Sequence, residues 1–143
     1  MLPPIHTIIE NFELIEDWEE RYSYVMELGR AMPPLPADKH SEANRVHGCE
    51  SQVWLDSHLD TAQDPPRVRL LGDSDSSITR GLVAIMIAIY DTKPPDAILA
   101  TNGLDVFKQL DFGNHISSKR AGGLRAMDER IHREARKLVQ PAQ

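Results

Sequence analysis

Between Trp18 and Met32 the apolar residues Trp18, Tyr22, Val25, Met26, Leu28 and Met32 recur at helical spacing, which predicts a helix. Asp17, with Glu20 three residues on, forms a capping-box-like start, and Pro33 and Pro34 stop the helix because proline has no amide hydrogen. A shorter helix is expected upstream, over Thr7 to Phe12. From Ser51 to Leu59 the pattern changes to strict alternation. Val53, Leu55 and Ser57 share one face, and Gln52, Trp54, Asp56 and His58 the other, so this stretch is predicted as a strand. Arg67 to Leu71 is a second strand, reached through a turn at Asp64 to Pro66, and Asn44 to His47 is expected as a third, leading into Gly48 and Cys49. Gly72 is read as the end of the second strand.

An Asp or Ser among Asp73 to Ser76 then caps a helix in which Ile78, Leu82, Val83, Ile85, Met86, Ile87 and Ile89 leave almost no polar face. That helix is expected to be the central packing element. Short helices are predicted over Pro95 to Ala100 and Leu104 to Leu110. A last long one covers Gly122 to Val139, with Leu124, Met127, Ile131, Ala135 and Leu138 as its inner stripe. The predicted class is α+β: a small antiparallel sheet of about three strands packed with helices.

Composition narrows the function. A chain of 143 residues, 41% hydrophobic and 27% charged, is expected to form a single domain over residues 1–143. The proline-bearing breaks at Met32 to Pro36, Asp64 to Pro66 and Lys93 to Pro95 read as turns inside it. Sixteen Lys and Arg against 22 Asp and Glu leave a charge of −6, which provides no basic field for nucleic acid. The longest apolar run, Leu82 to Ile89, is too short to cross a membrane, and the N-terminal residues do not read as a secretory signal. A cytoplasmic location is expected. One cysteine cannot form an internal disulfide, which suits a reducing compartment.

That cysteine, Cys49, lies in NRVHGCESQVWL and is either a small buried hydrophobe or a working thiol. Gly48 before it permits turn geometry, and His47, Glu50 and Ser51 make the surroundings polar. A thiol attacks as its thiolate. Protonated His47 and the cations Arg45 and Arg120 would favour that form, and Glu50 would oppose it. His47 is a weak candidate for a general base because no third group orients it. His40, His47 and Cys49 are possible metal ligands, but no CxxC or HxxxH spacing completes a zinc set, and no bound metal is expected.

Four separated motifs carry a resemblance: WEERYSYVMELG from Trp18, NRVHGCESQVWL around Cys49, GDSDSSITRGL from Gly72 and HISSKRAGGLRAM from His115. In this order, over about Phe12 to Ile131, the chain resembles the SufE family, sulfur acceptors that partner cysteine desulfurases in iron–sulfur cluster biogenesis and whose homologues include CsdE. The resemblance implies an α+β sandwich like that of the scaffold IscU. It implies that Cys49 takes a sulfane sulfur from a SufS- or CsdA-like desulfurase, stimulates that enzyme, and passes the sulfur to a SufBCD-type scaffold. Pyridoxal phosphate then belongs to the desulfurase, and no cofactor is expected on this chain. A monomer or a weak dimer is compatible with that role.

Residue by residue, Cys49 matches the family's acceptor cysteine, and Gly48, Ser51, Gln52 and Trp54 match its surroundings. Asp75 and Arg120 match positions that hold the cysteine loop or meet the desulfurase; otherwise they are a helix cap and an ordinary helix-start cation. The chain departs from the pattern in having Glu50 where glutamine is common, and Ser118 and Lys119 where proline and serine are frequent. Two other readings stand beside this one: an adaptor that regulates a desulfurase without carrying sulfur, and a stand-alone thiol hydrolase or peroxidase.

Overall fold

The computed structural model describes residues 2–139. Among these residues six α-helices, α1 (Ile5–Leu14), α2 (Trp18–Ala31), α3 (Ser77–Tyr90), α4 (Pro95–Leu99), α5 (Gly103–Gln109) and α6 (Ser118–Val139), pack with one antiparallel hairpin, β1 (Val53–Asp60) and β2 (Arg67–Ser74). The fold is α+β, as the pattern predicts. Val53 and Leu55 face the core from β1, and Val68, Leu70, Gly72 and Ser74 from β2.

The sheet has two strands among the described residues, where about three were expected. Residues 41–45 are coiled by turns, with the Asn44 and Arg45 amides donating to Ser41 and Glu42 carbonyls at 3.2 and 3.1 Å. The chain straightens for a single bridge, Arg45 opposite Trp54, and Gly48 at φ 94° turns it away again. There is no room for a third strand between those two turns. Strand β2, in contrast, runs on through Gly72. A β-carbon at Gly72 would lie 2.7 Å from Val83 Cγ1, so the glycine lets the sheet settle on α3 and does not end the strand.

Helix α3 is central. Ten of its fourteen residues are buried, and the Ser76 side chain caps it by accepting from the Thr79 amide at 3.4 Å. Asp17 occupies the N-cap position of α2 but makes no side-chain cap bond. Helix α6 starts a turn before Gly122, so that Gly122 and Gly123 fall inside it.

A buried polar knot fixes α6 on the core. The Tyr90 hydroxyl at the end of α3 donates to the Asp128 carboxylate, lies 3.1 Å from His132 Nε2, and accepts from the Gly103 amide at 2.6 Å. Burial, reinforced by Asp128, pushes the Tyr90 phenol well above its ordinary pKa, so it remains a donor. This holds α6 at a fixed height, and with it the helix face that meets the cysteine.

Candidate functional site

Cys49 sits in a short loop between the Arg45–Trp54 bridge and β1. Its side chain is half-buried, turned inward, and its Sγ donates weakly to the Gly123 carbonyl of α6 at 3.8 Å. A β-carbon on Gly123 would stand 3.3 Å from that sulfur, so a bare backbone is what lets the thiol rest there. The surrounding pocket has only about 10 Å³ of free space and is lined by Ser51, Thr79, Leu82, Arg120, Gly123 and Met127 among others.

Two anchors hold the ends of the loop. On the β1 side, the Asp75 carboxylate accepts from the Gln52 amide at 3.1 Å, and the Asp75 amide donates to the Gln52 carbonyl at 3.4 Å. Ser76, not Asp75, caps α3, so the side chain of Asp75 is free to serve the loop. Thr79 adds a long hydroxyl contact to Ser51 at 3.5 Å. On the other side, the Arg130 guanidinium of α6 donates to the carbonyls of Ala43 at 2.6 Å and Arg45 at 3.2 Å. Glu134 holds it in place by accepting from its Nε at 3.0 Å. Between the anchors, His47, Gly48 and Glu50 are exposed.

Trp54 has a different task. Its indole lies edge-on to His40 at 4.8 Å and under the Arg45 guanidinium at 6.0 Å. His40 in turn meets Asp73 at 2.7 Å, and Arg80 donates to the same carboxylate at 2.9 Å. The bond to Asp73 raises the His40 pKa. Trp54 therefore braces the base of the loop and does not touch the thiol pocket.

His47 is not placed as a base for Cys49. Its Nε2 pairs with Glu42 at 2.7 Å on the exposed surface. The structure does bring Arg120 to the thiol: it lines the pocket from the first turn of α6. No group of His, Cys, Asp or Glu suited to a metal ion occurs among the described residues. Gly123 and Arg130 escaped the sequence reading. The paired glycines in AGGL were a usable signal, since glycine inside a helix usually marks a close approach. Nothing in the sequence pointed to Arg130, which meets residues far away in the chain.

Burial raises the Cys49 pKa above its ordinary value, and Arg45 opposes that rise without cancelling it. At neutral pH the resting side chain is therefore the protonated thiol. The rate of Cys49 alkylation by iodoacetamide in the free protein is expected to climb about tenfold per pH unit from pH 7 to beyond pH 8.5. A plateau below pH 8 would mean an activated thiolate and would contradict the resting arrangement.

The family model described as "SufE: Fe-S metabolism associated domain" matches residues 6–135. An uncharacterised SufE-like protein of Rhizobium etli is 44% identical over 129 residues, covering 90% of this chain and 87% of that protein. Another, from Rhizobium meliloti, is 43% identical over 128 residues, covering 90% and 91%. The solution structure of a hypothetical protein from Thermus thermophilus superposes with a TM-score of 0.72 over 96% of this chain and 97% of the other, at 22% identity, a likeness of fold. With its motifs in order and its length matched almost end to end, the chain belongs to the SufE family.

Proposed function

We propose that this protein accepts sulfur from a cysteine desulfurase on Cys49, stimulates the desulfurase by clearing it, and delivers the sulfur to a SufBCD-type scaffold for iron–sulfur cluster assembly. The observation that carries the reading is a lone thiol resting on Gly123 at the tip of a loop whose two ends are anchored. With one cysteine in the chain, no neighbouring thiol can attack a persulfide and release sulfide.

In the transfer, the Cys49 thiolate attacks the terminal sulfur of the desulfurase persulfide. A new S–S bond forms at Cys49 and the donor's S–S bond breaks, with the donor cysteine leaving as thiolate. The sulfane sulfur keeps its oxidation state, and the proton lost from Cys49 matches the one the donor thiolate can regain. No external oxidant or reductant is consumed. The resting loop contributes protection, because a sulfur tucked against α6 in so small a pocket is shielded from stray reductants. Gly48, at φ 94° and exposed, is the position where the loop can swing the sulfur outward. Desolvation inside the donor's site and contact with its cations would replace the resting environment at the moment of attack.

The test is intact-protein mass spectrometry after incubation with a cysteine desulfurase, pyridoxal phosphate and free cysteine. A gain of one sulfur atom on Cys49, reversed by a thiol reductant, is expected. A protein that gains no sulfur from any of several desulfurases would defeat the transfer reading.

A further inference from the structure

Beside the Cys49 loop, between its stem and α6, is a cleft of about 250 Å³ lined by Arg45, His47, Ala126, Glu129, Arg130 and Arg133. Three guanidinium groups face one carboxylate there, in a chain whose net charge is −6. Arg130 is already engaged by two carbonyls and Glu134. Arg45 and Arg133 make no ion pair among the described residues, although acidic residues outnumber basic ones in the chain. Arg45 Nε is buried without a hydrogen-bond partner. Glu129 lines the cleft without pairing with either arginine, and His47 is turned to Glu42.

Unpaired guanidinium forks in a concave site are suited to carboxylates, which they bind with two parallel hydrogen bonds. One wall of the cleft is α6, which carries seven Lys and Arg against three Asp and Glu, while residues 5–31 carry two against seven. With Glu129 in the cleft and Glu134 on Arg130 set against Arg45, Arg130 and Arg133, the groups around the cleft keep an excess of positive charge on an acidic molecule. At physiological ionic strength charges more than about 8–10 Å away are largely screened, so a carboxylate that reaches into the cleft meets chiefly the groups that line it, whereas an extended phosphate backbone would also lie along the acidic remainder of the surface.

We infer that this cleft is a docking socket for an acidic segment of the sulfur-donating protein, with Arg45 and Arg133 as the groups that receive its carboxylate. The inference rests on the transfer reading above. Arg45 belongs to the stem of the Cys49 loop, so an occupant of the socket is brought beside the loop that carries the thiol. Arg130 keeps that stem on α6 and gives the socket its shape.

The experiment measures the acceptor concentration that half-saturates a desulfurase able to load Cys49, with the mass gain at Cys49 followed in parallel. Arg133→Glu is compared with Arg136→Glu, which makes the same change in net charge on the same helix outside the cleft. Arg133→Glu is expected to raise the half-saturating concentration about tenfold, with a loss of salt dependence, while Arg136→Glu stays within about twofold of wild type. The sulfur gain at saturating concentration is expected in both, and both exposed substitutions should leave the melting temperature unchanged. Equal effects of the two variants, or no effect of Arg133→Glu, would overturn the socket and leave sulfur transfer standing. A wild-type protein that no desulfurase loads would instead overturn the transfer reading, and the socket with it.

Discussion

Cys49→Ser is expected to take up no sulfur and to leave a cysteine desulfurase at its unstimulated rate. The substitution is nearly isosteric, and the hydroxyl can still donate to the Gly123 carbonyl where the thiol does so now. The fold should therefore persist, with a melting temperature within a few degrees of wild type. What is lost is the nucleophile. Even with its pKa raised by burial, the Cys49 thiol is ionised far more easily than a serine hydroxyl, and sulfur is the better attacker of a sulfane sulfur.

The same variant separates the alternatives. An adaptor that acts through the surface around Trp54 and Arg120 would keep its stimulation with serine at position 49, because Trp54 lies away from the thiol pocket and the near-isosteric serine leaves the wall that Arg120 forms in place. A stand-alone hydrolase or peroxidase would show turnover of a small substrate without any desulfurase. The geometry argues against that last reading on two counts. His47, the nearest histidine in sequence, is held by Glu42, and burial keeps the resting thiol protonated. An enzyme working alone needs its nucleophile primed at rest, whereas an acceptor gains from a thiol that becomes reactive only when a donor is docked.

Periodicity marks α2, α3, α6 and the strands because each buries a regular face, while α1, α4 and α5 are expected only as short helices without such a pattern. It fails where one residue answers to tertiary contact. The local pattern puts a strand end at Gly72 and a helix start at Gly122, since glycine breaks elements when only the local chain is considered. Each instead lies inside its element. Gly72 gives room to Val83, and Gly122 adjoins Gly123, which gives room to Cys49. The third strand failed for a related reason, as the turns over residues 41–45 and the positive φ of Gly48 cut the pairing to one bridge. Of the candidate site, Cys49 and its near neighbours stand out from composition and motif. The supports Gly123 and Arg130 do not, because their meaning lies in contacts across more than 70 residues of chain.

Gly81→Ala is expected to be the most damaging small substitution in the core. Helices α2 and α3 cross so closely that a β-carbon at Gly81 would stand 2.1 Å from the Val25 carbonyl oxygen and 2.4 Å from Val25 Cγ1. Gly29 faces it from α2, where a β-carbon would lie 2.9 Å from the Gly81 amide nitrogen. The obstacle is backbone on both sides, so no rotamer change relieves it and the helices must separate. Overpacking of this kind costs about 3 kcal/mol at the upper end of its usual range, and alanine's better helix propensity offsets at most about 1 kcal/mol. For a domain of this size the melting temperature should fall by roughly 10 °C. Gly122→Ala supplies the contrast. Its β-carbon would meet only the tip of Arg125 at 3.7 Å, so the same chemical change inside α6 should stabilise by about 0.5–1 kcal/mol. A Gly81→Ala protein that melts within about 2 °C of wild type would show that the two helices can part at little cost. If the loss is found, it should reach the site as well. Helix α3 carries Thr79 and Leu82, which wall the thiol pocket, and follows directly on Asp75, which anchors the loop. A shifted α3 should then leave Cys49 alkylated faster at a given pH, through looser shielding and not through a changed nucleophile.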